Sequence, residues 1–137
     1  MWPFEELVPW LRARIAEDRL RADLLAEDFT VAEEGAQEEV ADAVYTFADQ
    51  RAVLATCDAY TAVLDAHDRI AELSRRESEE FVRNMNGPHR ETPETRRRYE
   101  KACDRSGQVR GAQIAVLGIG LAYRHHPEYR EEWKRGC

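Results

Sequence analysis

The sequence predicts an all-α fold, an antiparallel helical bundle of three to four long helices plus a short C-terminal helix, in a single domain covering residues 1–137. Three observations predict it. Only seven glycines and five prolines punctuate 137 residues, too few for the turns that many short strands need. Apolar residues recur every three or four positions over long stretches, which is the period of one helix face. Ile114–Leu121, the one segment apolar enough to read as a buried strand, has no second segment to pair with. A hydrophobic content of 43% belongs to a folded chain rather than a disordered one, and the length suffices for a modest core.

The first helix is predicted from about Phe4 to Ala26. Pro3 stands near its first turn, where a missing N–H costs nothing, and Glu5 and Glu6 suit the positive end of the helix dipole. Phe4, Leu7, Val8, Leu11 and Ile15 form one face, with Leu20, Leu24 and Leu25 extending it. Asp28 to Gly35 reads as a connection. A second helix starts near Gln37, with a break or kink expected at Asp49, a good N-cap residue. From there Val53, Leu54, Cys57, Tyr60, Leu64, His67, Ile70 and Leu73 make a seam of about six turns, the clearest amphipathic signal in the chain.

Asn86-Gly87-Pro88 and Thr92-Pro93 punctuate a loop over Asn84–Pro93. Thr92 can cap a helix with Pro93 at its first position and Glu94 in its first turn. That helix carries Arg96, Arg97, Arg98, Tyr99 and Lys101 and shows little apolar face before Ser106-Gly107. The following segment, from Ala112 to Leu121, is apolar on nearly all sides and is expected to be the most buried element. Gly111, Gly118 and Gly120 would admit a neighbouring backbone. Its helical or extended character is open from periodicity alone. Pro127 should open a short terminal helix whose Tyr129 and Trp133, four apart, fold back on the bundle.

Charge is unevenly spread. The net −7 divides into −11 over Met1–Ser74, with 6 basic and 17 acidic residues, and +4 over the remainder, with 14 basic and 10 acidic. An acidic half joined to a mildly basic one argues against direct nucleic-acid binding and suits self-association or an acidic face offered to a basic partner. No apolar run approaches the roughly 18 residues of a membrane span. Glu5 and Glu6 stand where a signal peptide needs positive charge. Cys57, Cys103 and Cys137 are odd in number and widely spaced, so free thiols in a reducing cytoplasm are expected.

The chemistry-bearing residues form no specific constellation. Glu33-Glu34, Glu38-Glu39 and Asp42 are dense carboxylates at helical spacing. All-α nucleotide pyrophosphatases of the MazG type bind magnesium through EExxE and acids of the next helix, and helical carboxylates are adequate magnesium ligands. The metal candidates are therefore Glu34, Glu38, Asp65 and Asp68. The spacing here is EExxxE and Gly35 interrupts it, so a solvated face is the preferred account and no metal or cofactor is expected. His125-His126 are adjacent, hence about 100° apart on a helix and poor joint ligands; they read as a stop-and-turn segment before Pro127. His67 lies on the apolar seam and reads as a hydrogen-bonded core histidine. Arg96–Arg98 are surrounded by Glu94, Glu100 and Asp104, which suits intrahelical pairing. Gly118-Ile119-Gly120 lacks the spacing of a phosphate loop. No serine or cysteine has the setting of a nucleophile, and no catalytic residue is assigned.

Three segments together resemble an uncharacterised family of small proteins common in actinobacteria and their phages. LRARIAEDR (Leu11–Arg19) is similar to that family's first helix. DQRAVLATCDAYTAVLDAHD (Asp49–Asp68) is similar to its DPARVL-type central helix, with Gln50 where the family has proline. LAYRHHPEYREEW (Leu121–Trp133) is similar to its C-terminal HPxYREEW signature, with Tyr123-Arg124-His125 departing from a YAD-like stretch. Asp28–Val44 matches poorly. The resemblance covers about a third of the chain and implies a cytoplasmic actinobacterial protein, one encoded on a prophage or plasmid being compatible with it. It implies no activity.

The sequence therefore favours a non-catalytic helical protein that binds another protein or itself, a homodimer being one form. The interaction candidates are Tyr129, Trp133 and Arg97. One alternative is a mobile-element accessory protein whose acidic N-terminal half mimics nucleic acid. Another is a divergent metal-dependent nucleotide pyrophosphohydrolase.

Overall fold

The computed structural model describes residues 3–32, 37–85 and 92–135, and the side chains of 3–24, 49–83 and 92–134. Among these residues every regular element is helical. Helix α1 spans Pro3–Ala32, α2 Gln37–Met85 and α3 Pro93–Ala122, followed by a 3₁₀ turn at Glu131–Arg135. At 1.5 Å per residue, the 49 residues of α2 extend about 70 Å. The chain divides into two compact units, Glu5–Ala62 and Val63–Cys137 with Trp2–Phe4, so α2 contributes to both.

In the first unit the chain reverses. The Cys57 thiol lies 3.8 Å from the Ile15 carbonyl oxygen, and Arg19 pairs with Asp58 at 2.8 Å. Ile15 stands 17 residues before the end of α1 and Cys57 20 residues after the start of α2. Each stretch of helix is about 25–30 Å long, so the two residues meet only if α2 returns along α1. The face of α1 expected to pack does so: Leu7 and Leu11 are fully buried, and Phe4, Val8, Ile15 and Ala22 nearly so. Pro9 lacks the N–H that would bond to residue 5, yet α1 continues through it.

In the second unit, the latter part of α2 and α3 are joined by Arg105, whose guanidinium donates to both Glu77 oxygens at 3.3 and 3.4 Å. Phe81 and Ala102 line a common crevice. One sheltered line of α3 runs Ala102, Arg105, Val109, Ala112, Val116 and Ile119, spaced 3-4-3-4-3 as in a two-helix seam. Thr92 is the N-cap, its hydroxyl accepting from the Thr95 N–H at 3.3 Å, with Pro93 opening the helix as its sequence predicts. Beyond α3, backbone turns at Tyr123, His126 and Arg130 bring the 3₁₀ turn back onto α3.

Several expectations are corrected. Residues Asp28–Ala32 continue α1 rather than forming a connection, and α2 runs unbroken through Asp49. A capping residue permits a start but does not force one, since its exposed side chain also tolerates a continuing ladder of i→i−4 bonds. Helix α3 is one continuous element through Ser106-Gly107, each internal glycine costing about 1 kcal/mol. Pro127 lies in a turn, and the terminal element begins at Glu131 as a 3₁₀ turn. Leu20 and Leu24 are exposed. They lie about 140° and 180° around the helix from Ile15, off the face they were expected to extend. Leu25 lies outside the described side chains.

Val53 is also exposed, because the sheltered line of α2 is Gln50, Leu54, Cys57, Thr61 and Leu64, a 4-3-4-3 spacing that Val53 misses by one position. Ile114–Leu121 is helical but is not the most buried element. Val116, Ile119 and Gly120 are buried, whereas Ile114 is 62% and Leu121 44% exposed. An apolar segment is buried all round only where neighbours surround it.

Candidate interaction surfaces

The two faces of α3 differ in chemistry. The sheltered face carries Val116 and Ile119 in the core and becomes polar toward its N-terminal end, where Arg105 meets Glu77 and Gln108. Directly opposite, about 180° around the helix, a second line runs Gly107, Gly111, Ile114, Gly118, Leu121, spaced 4-3-4-3 and exposed throughout. A Cβ added to Gly107, Gly111 or Gly118 would meet no atom within 4 Å, so the expected close approach of a backbone at Gly111 and Gly118 is not found among the described residues. Leu117 flanks the line, half-buried. The signal for this surface is a second heptad-like spacing running beside the first. Treating the whole segment as uniformly apolar hid it.

On α1, Leu20 and Leu24 are 61% and 51% exposed. Beside Leu20 lies a shallow groove lined by Ile15, Ala16, Arg19, Asp23 and Thr61. On α2, Leu73 and Val82 are exposed, as is Tyr99 on α3. The crevice between α2 and α3 near Phe81 encloses about 160 Å³ and mixes Glu77 and Glu80 with Arg98 and Lys101. Arg98 is held by Glu94 at 3.1 Å, the i,i+4 pairing expected of the arginine run. Arg97 is exposed on the same helix.

The C-terminal aromatic pair lies differently from a free tail. Trp133 is buried and Tyr129 half-buried, with ring centroids 5.5 Å apart in a T-shaped contact. Burial pushes the Tyr129 phenol up. Arg130 lies over the Trp133 ring at 5.6 Å. His126 occupies the preceding turn, its Nδ1 accepting from the Glu128 N–H at 3.1 Å, and Arg124 donates to His125.

His67 is buried, 3.1 Å from the Asp68 carboxylate and stacked at a tilt on Phe4 at 5.7 Å. It occupies the core position the seam assigns to it. Burial raises the Cys57 thiol above its ordinary value, the nearby Asp18 carboxylate adding to the effect, so Cys57 is a protonated core residue. Cys103 is exposed. On the surface of α2, Glu72 accepts from Arg75 and Arg76 at 2.7–3.0 Å. Hydrogen bonds from Arg75 and then Arg76 bring its carboxyl down to about 2.

Of the metal candidates, Asp65 and Asp68 are exposed on α2. Glu34 lies outside the described residues and Glu38 outside the described side chains, as does the rest of the Glu33–Asp42 cluster. Among the described residues, no three His, Cys, Asp or Glu side chains stand together where they could hold a metal ion, and no helix is long and apolar enough to cross a membrane.

No curated protein and no solved structure matches the chain. The model of one family matches residues 4–135, nearly the whole length, including all three segments that carry the resemblance. The chain belongs to the family of unknown function DUF6221.

Proposed function

We propose that this chain is a non-catalytic protein-interaction or regulatory protein, an antiparallel helical bundle in one cytoplasmic domain that acts through apolar helix faces. The observation that carries the reading is the number of large apolar side chains its helices leave in solvent. Leu20 and Leu24 on α1, Val82 on α2, and Tyr99, Ile114 and Leu121 on α3 are all more than 40% exposed. Single exposed leucines are ordinary, but lines of them along a helix mark surfaces that bind protein. The charged residues beside these lines would supply a polar rim.

The test is affinity capture from the native host with the full chain, run beside Leu20→Glu/Leu24→Glu and Ile114→Glu/Leu121→Glu. The wild type should retain a protein partner or a second copy, and at least one double variant should lose it. Unchanged capture by both variants would remove the apolar faces from the account. Magnesium-dependent hydrolysis of nucleoside triphosphates by the purified chain would overturn the non-catalytic reading.

A further inference from the structure

The chain passes from α3 to the 3₁₀ turn through a bend that one residue closes. His126 donates its N–H to the Tyr123 carbonyl at 2.9 Å, and its own carbonyl accepts from the Tyr129 N–H at 3.0 Å. Its side chain adds a third bond, Nδ1 accepting from the Glu128 N–H at 3.1 Å. Pro127, between the two, has no N–H to contribute. The ring thus does what Asn or Asp does in an Asx turn, bonding the backbone two residues on. Unlike those residues, histidine can lose its acceptor near neutral pH. A neutral imidazole has one N–H and one bare nitrogen, whereas the protonated ring has two N–H groups, so a proton on Nδ1 would point at the Glu128 N–H. From this geometry we infer that His126 is a proton-operated latch on the C-terminal turn: the neutral ring holds the turn on α3, and protonation shifts it toward release, uncovering Tyr129 and Trp133.

The charges around the bend act in the same direction. The 3₁₀ turn packs on α3, which carries no charged side chain between Arg110 and Arg124. Arg124 donates from Nε to His125 Nε2 at 3.3 Å, so the neighbouring histidine is also held as an acceptor. Protonating both rings would set two more positive charges beside Arg124. On the far side of the bend, Lys134 pairs with Glu131 at 2.8 Å and Arg130 with Glu132 at 3.7 Å. The Tyr129 phenol, pushed up by burial, contributes no charge. Glu128 is the acid nearest in sequence and would attract a protonated ring. That attraction moves the pH at which the latch works, but it restores no acceptor for the Glu128 N–H. Trp133 is buried, and its burial keeps the docked turn the major form with either ring. The latch therefore tunes a balance, and it does not depend on the proposed protein-binding function.

The test is NMR of the full chain labelled with nitrogen-15. At pH 8 the His126 ring should carry its hydrogen on Nε2. Histidines change charge between about pH 8 and pH 5. Over that interval the exchange protection of the Tyr129 and Trp133 amides, corrected for the intrinsic effect of pH, should fall roughly tenfold, the scale of one lost hydrogen bond. His126→Asn keeps an acceptor at every pH, so it should retain the protection and abolish the fall. His126→Phe keeps a ring without an acceptor and should show the low protection at both ends of the series. His125→Asn should leave the fall in place, because His125 accepts from a side chain and not from the backbone of the bend.

His67 is present in every variant, so a fall that persists in His126→Asn arises elsewhere in the fold and overturns the latch. A hydrogen on Nδ1 at pH 8 overturns it as well. So does wild-type protection that is indifferent to pH, or protection in His126→Phe equal to that of the wild type at pH 8.

Discussion

Helices α1 and α3 are each 30 residues long, and their burial differs more than their apolar content suggests. Along α1, Phe4, Leu7, Val8, Leu11, Ile15 and Ala22 are buried on one face, and the exposed leucines lie off that face. Along α3, only Val116, Ile119 and Gly120 are buried, although Ala112–Leu121 is the most apolar stretch in the sequence. What separates the two is phase rather than hydrophobicity. In α1 most large apolar residues of the first four turns fall in one line. In α3 they divide between two lines on opposite sides of the helix, and one of them is covered.

The sharpest way to break that comparison is to truncate side chains on the contrasting faces. Leu11→Ala removes a fully buried side chain and should cost about 2–5 kcal/mol in a chemical denaturation titration. Val116→Ala, equally buried on α3, should cost about 1–3 kcal/mol because less is removed. Ile114→Ala, two residues away, should stay within about 0.5 kcal/mol when measured in dilute solution. A loss at Ile114 comparable to that at Val116 would mean that the outer line is covered within the chain.

The C-terminal turn tests how the covered face of α3 is completed. An isolated turn of five residues has no stability of its own in water, so its position depends on Trp133, which is 3% exposed, and on the ring contact with Tyr129. Trp133→Ala should therefore destabilise the fold by about 3 kcal/mol, read as a fall in the thermal midpoint. An unchanged midpoint would make the segment a tail that contributes nothing to the fold.

The comparison also shows which parts of the structure could be read from the residues. Helix class, the packing face of α1, the start of α2 at Gln37 and the Thr92–Pro93 cap follow from local chemistry, and each is present. The places of Cys57, Leu64 and His67 in the core follow from a long single-phase seam. Helix lengths were less legible. Asp49, Asp28 and Gly107 are local stop signals, and a cooperative ladder supported on both sides runs through all three. The burial of Ile114 and Val53 depends on which neighbours exist and at what angle, and composition does not carry that information. The outer line of α3 was present in the spacing, but recognising it required separating two interleaved heptad-like patterns.

The smallest effect expected is on the surface of α2, where neither contrasting face is involved. Glu72 is exposed and accepts from both Arg75 and Arg76, and these bonds bring its carboxyl from 4.5 to about 2. A carboxylate whose folded value is depressed stabilises the folded state above its unfolded value. That contribution is lost as pH falls from about 4.5 through about 2. Because solvent screens an exposed pair, the contribution is small. Glu72→Gln should thus lower stability slightly at pH 7 relative to the wild type, and the difference should shrink toward zero near pH 2. A difference independent of pH would show that the ionised carboxylate is not its source, and the absence of any difference would leave only helix propensity, in which glutamine and glutamate are nearly equal. High salt should reduce the gap at pH 7, whereas it should leave the Leu11→Ala loss largely intact.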